Sequence, residues 1–161
     1  MIEGSLGRRY TRALFQLAKE SRQEEAIGAE IEQFLAIYAG TPLQAVLNNP
    51  AFALDSRRKI LVEVTRSSQL SPVSVHFLAL LLERDRLTYL PSIVASYRRM
   101  LNQAKDRVEA TVRASSSLQA RVLERLRAAL RQISGKDIVL HEATDPSLIG
   151  GLVVELEGRV Y

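Results

Sequence analysis

The spacing of apolar residues changes near Asp106, and this change limits the possible folds more than any other feature of the 161-residue sequence. Before it, apolar residues recur every three or four positions. After it, Val108, Ala110 and Val112 alternate with Glu109, Thr111 and Arg113. The first spacing lines one face of a helix and the second lines one face of a strand. A chain of this length with one such switch reads as two parts. We expect a mainly α fold, with a six-helix bundle over residues 1–105 followed by a small α+β domain over residues 106–161.

The helices are delimited by caps and breakers. Leu6, Tyr10, Ala13, Leu14 and Leu17 share a face over residues 5–18, with Ser5 as the expected N-cap. Ile27, Ile31, Phe34, Leu35 and Tyr38 mark a second helix that ends at Gly40. Thr41-Pro42 restarts a short third helix, which stops before Asn49-Pro50. Asp55 is the expected cap of a fourth, and Ser71-Pro72 starts a fifth. The fifth, carrying Val73, Val75, Phe77, Leu78, Leu80, Leu81 and Leu82, is apolar nearly all round. Such a helix is either central or covered on its second side by a partner. A sixth follows from Leu87, with Pro91 in its first turn or at a kink. In the second part, a strand near Val108 precedes a helix carrying Leu118, Val122, Leu126, Leu130 and Ile133, which ends at Gly135. A short strand at 138–140, a turn at Asp145-Pro146, a strand at 152–156 and a Glu157-Gly158 hairpin complete it.

Composition removes several function classes. There is no cysteine, hence no disulfide, thiolate metal site or cysteine nucleophile. His76 and His141 are the only histidines, too few for most histidine-based catalytic or metal clusters. The longest uninterrupted apolar run, Phe77–Leu82, is far below the roughly 18 residues of a membrane span. The N-terminal residues lack the apolar core of a signal peptide. The net charge of +4 and pI near 9.7 invite a nucleic-acid reading. The basic clusters at Arg8-Arg9-Arg12, Arg57-Arg58-Lys59, Arg98-Arg99 and Arg121 to Arg131 are short, and acidic residues occur in both parts of the chain.

Few side chains suggest chemistry. Gly150-Gly151 lacks the glycine spacing and following helix of a phosphate loop, so it reads as a bulge or close backbone approach at a strand start. His141, Glu142 and Asp145 could converge on a metal, but the motif is unspecific. His76 has no carboxylate or nucleophile at helical spacing beside it. Glu24, Glu25, Glu30 and Glu32 read as a solvated acidic face. Ser115–Ser117 lacks a nucleophile elbow. Nothing here argues for an enzyme or calls for a cofactor, and the residues alone describe a soluble, two-part interaction protein whose excess apolar surface on the fifth helix would be covered by partner helices.

The run Ile138 to Val160, IVLHEATDPSLIGGLVVELEGRV, resembles the signature of the delta subunit of F-type ATP synthases, the oligomycin-sensitivity-conferring protein family. The matching positions are an apolar strand (Ile138, Leu140), Thr144-Asp145, then Leu148, Gly150 and Gly151, then an alternating strand (Leu152, Val154) with Glu155 and Glu157. Arg8 to Ala18 is similar to the family's first-helix motif. Asn49-Pro50 matches the family's Asn-Pro between helices three and four, and Phe77 to Ile93 resembles its fifth helix and the Arg-Leu opening helix six. Gly7 stands where relatives usually carry Ala. The chain stops at Tyr161, whereas family members usually continue into a last amphipathic helix, so a truncated C-terminal domain is expected.

The resemblance implies a non-catalytic stator subunit, one copy per complex, joining the catalytic head to the peripheral stalk. Residues 1–105 would bind the N-terminal helix of an alpha subunit, with Tyr10, Ala13, Phe77, Leu80 and Leu81 as contact candidates. For Tyr10 a core position is an equal alternative. Residues 106–161 would bind the stalk b subunits. Asn49, Pro50, Asp145, Gly150 and Gly151 would be structural signature positions. Localisation would be peripheral, on the cytoplasmic face of a bacterial plasma membrane, or on a thylakoid membrane in a cyanobacterium or plastid. The rival reading is an RNA-binding helical bundle of the transcription antitermination type. Against it, no RNA-stacking aromatic cluster is present, since most Phe and Tyr sit on apolar faces.

Overall fold

The computed structural model describes residues 4–161. Among them the chain is mainly helical, with seven α-helices and one four-stranded sheet. It divides into two compact units, Met1–Leu101 and Asn102–Tyr161.

In the first unit, α1 (Ser5–Glu20), α2 (Glu24–Gly40), α3 (Leu43–Leu47), α4 (Leu54–Ser67), α5 (Pro72–Glu83) and α6 (Leu90–Ala104) follow one another. α6 runs past Leu101, so the division falls inside it rather than at Asp106. Several expected caps sit elsewhere. Gly4, not Ser5, is the N-cap of α1, and Ala53, not Asp55, that of α4. Asp55 instead lies in the first turn, 3.6 Å from Arg58 and 3.8 Å from Lys59. A carboxylate there is favoured by the helix dipole without being a cap. Pro42 is the N-cap of α3, while the Thr41 hydroxyl accepts the Leu43 N–H. Leu87–Tyr89 forms a 3-10 turn, and α6 begins only at Leu90 with Pro91 in its first turn, where a missing N–H leaves no helical bond unmade.

The core of this unit is one cluster including Leu14, Ile31, Phe34, Leu61, Leu78, Leu81, Ile93 and Tyr97. Tyr97 locks α6 to α2. Its ring meets Phe15 edge-on at 5.3 Å, and its hydroxyl donates to the Glu24 carbonyl at 2.8 Å. Gly28 makes room for it: a Cβ there would lie 3.0 Å from the ring. Burial raises the Tyr97 phenol above its ordinary pKa, since the phenolate would lose its hydration.

Glu30 and Glu32 are not a solvated face. Glu30 accepts the Ser71 hydroxyl at 2.7 Å and that of the buried Ser74, tying α2 to α5. Glu32 pairs with Arg98 of α6 at 2.6 Å.

In the second unit, β1 (Arg107–Ala114), α7 (Ala120–Ser134), β2 (Asp137–Thr144), β3 (Leu152–Leu156) and β4 (Arg159–Val160) form a sheet of order β2-β1-β3-β4 with one helix. β1 pairs in parallel with β2, from Arg107↔Asp137 to Ala114↔Thr144, and antiparallel with β3. The parallel pair requires a crossover, which α7 supplies. Val108, Ala110, Val112, Leu130, Ile138, Val154 and Leu156 form the core, with Leu118 and Leu126 of the crossover segment packed against it. β2 is longer than the three residues expected, because all eight of its positions find partners on β1. Its polar half is admissible because β2 is an edge strand. Gly135, at φ 69°, ends α7 in the left-handed conformation that glycine favours. Glu157 and Gly158, both at positive φ, make the two-residue turn between β3 and β4.

Candidate docking face

Burial sorts the expected contact residues. Leu81 has no exposed surface and packs in the core, so it cannot itself touch a partner. Its place one helical step from Leu80 puts it on the inner face of α5. Phe77 is also buried, at 7% exposed. Ala13 is exposed, Tyr10 is half-buried, and Leu80 is 39% exposed. Leu17, which shares a face with Tyr10 and Ala13, is 53% exposed. Tyr10 of α1 meets Phe77 of α5 edge-on at 6.4 Å. Ala13 and Leu17 follow Tyr10 at helical spacing on α1, and Leu80 follows Phe77 one turn on along α5, so the three exposed side chains extend from the Tyr10–Phe77 pair as an apolar strip. Tyr10 thus serves both as core edge and as surface, because its ring packs inward while its hydroxyl lies at the border. That hydroxyl accepts a hydrogen bond from the Arg86 guanidinium.

Asn49 and Pro50 form a turn rather than a contact surface. The Asn49 side chain accepts the Ala51 N–H at 2.9 Å, and Pro50 is exposed. Arg57 holds this turn from below. It is 7% exposed and donates to the carbonyls of Phe52 at 3.2 Å and Leu47 at 3.1 Å, and lies 3.3 Å from the Asp85 carboxylate. In the sequence Arg57 belongs to the short basic cluster Arg57-Arg58-Lys59, and nothing in that cluster distinguishes it as buried. The usable signal was its spacing, four and eight residues before the buried Leu61 and Thr65.

The loop after β2 is held by Asp145. Its carboxylate accepts both the N–H and the hydroxyl of Ser147, and these bonds hold its pKa below the ordinary value. Gly151 has φ 77°, whereas a Cβ at Gly150 would meet no atom within 4 Å. The pair therefore answers a backbone angle at one position, not a close approach. No phosphate cradle forms.

Among the described residues, no group of three His, Asp or Glu is placed to hold a metal. His141 lies 4.0 Å from Glu109 across the strand pair, Glu142 accepts the Leu118 N–H at 2.6 Å, and Asp145 holds its own turn. Neighbours on one strand point to opposite faces, so His141 and Glu142 do not converge. A depression of about 500 Å³ is lined by Glu124, Arg127, Arg131 and Asp137, but its charges pair with one another.

On α1 and α5, Ala13, Leu17 and Leu80 are exposed and Tyr10 and Phe77 are in ring contact. Residues 6–161 match the family model described as ATP synthase delta (OSCP) subunit. The chain belongs to this family. It is 35% identical to the ATP synthase subunit delta of Citrifermentans bemidjiense, covering the whole chain and 90% of the relative. It is also 35% identical to that of Rhodopseudomonas palustris, over 99% of the chain and 86% of the relative. A chain of the Toxoplasma gondii mitochondrial ATP synthase hexamer, solved by cryo-EM, shares the fold with a TM-score of 0.73. At 22% identity, the match covers 98% of this chain and 89% of that one. Delta (OSCP) subunits are non-catalytic components of the ATP synthase peripheral stalk, and this chain is one of them. The RNA-binding alternative finds no support in these matches. No helix among the described residues is long and apolar enough to cross a membrane.

Proposed function

We propose that this delta-type subunit joins the catalytic head of its ATP synthase to the stalk b subunits, in one copy per complex. Held there, it resists rotor torque, so that proton flow is coupled to ATP synthesis. Residues 1–105 act as a six-helix bundle that receives the amphipathic N-terminal helix of an alpha subunit on α1 and α5. Tyr10, Ala13, Phe77 and Leu80 form the contact, with Leu81 supporting them from inside. Residues 106–161 act as the α+β domain that holds the b subunits. The complex places the subunit at the cytoplasmic face of a bacterial membrane.

The observation that carries this reading is the apolar strip of Leu17, Ala13 and Leu80 extending from the Tyr10–Phe77 pair. Leu80→Arg tests it. Because Leu80 is already 39% exposed, the substitution will leave helical content unchanged by circular dichroism. It will weaken binding of an alpha-subunit N-terminal peptide about a hundredfold by calorimetry, the scale of losing a central apolar anchor. Unchanged affinity would remove α1 and α5 as the docking face.

A further inference from the structure

One end of this face carries positive charge that no carboxylate among the described residues neutralises. α5 ends in a Schellman motif. The Asp85 N–H donates to the Leu82 carbonyl at 3.0 Å and the Arg86 N–H to the Leu81 carbonyl at 2.7 Å, with Asp85 at φ 53°. The residue in the position of Arg86 is usually apolar and packs back on the helix. Here it is a half-buried arginine whose guanidinium donates to the neutral Tyr10 hydroxyl, with its carbon 5.5 Å from the ring centroid.

The nearby carboxylates are already engaged. Glu83 pairs with Arg58 at 2.9 Å and Asp85 with Arg57 at 3.3 Å. Arg84, just before the motif's turn, and Arg9, adjacent to Tyr10, are exposed and have no carboxylate partner among the described residues. A partly desolvated cation without a counter-charge is costly, and a carboxylate supplied by a partner offsets that cost. The backbone of the motif fixes where Arg86 starts, so little side-chain freedom remains to be lost on pairing.

We propose that the helix docking on α1 and α5 presents a carboxylate beside its apolar stripe, and that this carboxylate pairs with Arg86 at the Tyr10 end of the face. The inference rests on the docking reading above and adds to it the chemistry of the partner. It makes Arg86 and Tyr10 a charge-reading end, while Leu80, Ala13 and Leu17 supply the apolar contact.

The test is a calorimetric titration of the full chain. The probe is the synthetic N-terminal peptide of the alpha subunit from the same organism, together with peptides in which each Asp or Glu is replaced in turn by its amide. Arg86→Gln is expected to weaken the parent peptide about tenfold, the scale of one interfacial charge pair. One amide peptide should lose a similar factor against the parent chain and almost nothing further against Arg86→Gln. Added salt should weaken the parent pair more than the variant pair. Tyr10→Phe, which keeps the ring and removes the acceptor that orients Arg86, should cost a few-fold and serves if Arg86→Gln fails to fold. Affinity indifferent to Arg86 and Tyr10, or acidic positions that each contribute independently of Arg86, would overturn the charge pairing and leave the docking face standing. No binding by the parent peptide would overturn both. So would a dimer of the free chain that Leu80→Arg dissociates in sedimentation, since the face would then be occupied by a second copy.

Discussion

Gly150 and Gly151 are adjacent in sequence and unequal in structure. Only Gly151 sits at positive φ, and nothing crowds either position. Gly151→Ala is therefore expected to destabilise by about 1–2 kcal/mol, the cost of a left-handed angle for a residue with a Cβ. Gly150→Ala should be neutral within about 0.5 kcal/mol, as for an unconstrained surface site. Urea unfolding of the two variants checks the contrast. Tyr97 gives a second prediction with a definite sign. Burial raises its folded-state pKa above the ordinary 10.0, so folding favours the protonated phenol. That contribution is complete below pH 10 and is lost as the pH rises from there toward the folded-state value. Melting temperature should fall above pH 10 in the parent chain and less steeply in Tyr97→Phe. Tyr38, also raised by burial, adds a smaller contribution of the same sign. In the sequence, Tyr97 stands three and four residues after Val94 and Ile93, at helical spacing with two apolar residues. Its hydroxyl's bond to Glu24 and its fit against Gly28 were not legible there, because both depend on which helix lies opposite.

At the scale of elements, the turn between α3 and α4 shows how a buried charge fixes a connection. Arg57 supplies the donors for the carbonyls of Leu47 and Phe52. Arg57→Met keeps the stem's packing and removes the donors, so it should cost about 3 kcal/mol, the loss of hydrogen bonds to a charged group with carbonyls left unsatisfied. Arg58→Met, one residue on and partly exposed, should cost less than about 1 kcal/mol. Thermal unfolding of the pair measures the difference. Helix periods and breakers marked where these elements lie, since Gly40, Asn49-Pro50 and Gly135 interrupt patterns that are otherwise regular. Element ends were less legible. β2 runs to Thr144 although its second half, His141 to Thr144, is mostly polar. Its length is set by the backbone groups of β1, which a strand's own side chains do not announce. Ser5 and Asp55 are good capping residues that lie one or two positions inside their helices, because packing of the helix decides where the first turn begins.

For the whole molecule, the two units carry cores of different size. The helical unit buries several aromatic rings, whereas the sheet unit closes on aliphatic side chains such as Val112, Leu130 and Val154. The strands of the second unit should therefore exchange their amide hydrogens faster than the buried helices α2 and α5 of the first, as hydrogen-exchange mass spectrometry can measure. Equal protection would show that the smaller core is held by something besides its own burial. The sequence by itself determined the mainly helical character, the switch to alternation near Asp106, the lack of a catalytic constellation and the family. These follow from local periodicity, from residue types and from motifs contiguous in the chain. Tertiary structure decided which of the expected contact residues can meet a partner. Leu80 and Leu81 are alike in sequence, yet one reaches water and the other is fully enclosed. It also decided that Arg57 is interior and that Arg86 stands beside Tyr10 with no carboxylate partner among the described residues. Each of these depends on what lies opposite a side chain across dozens of residues of chain, and no local pattern encodes that.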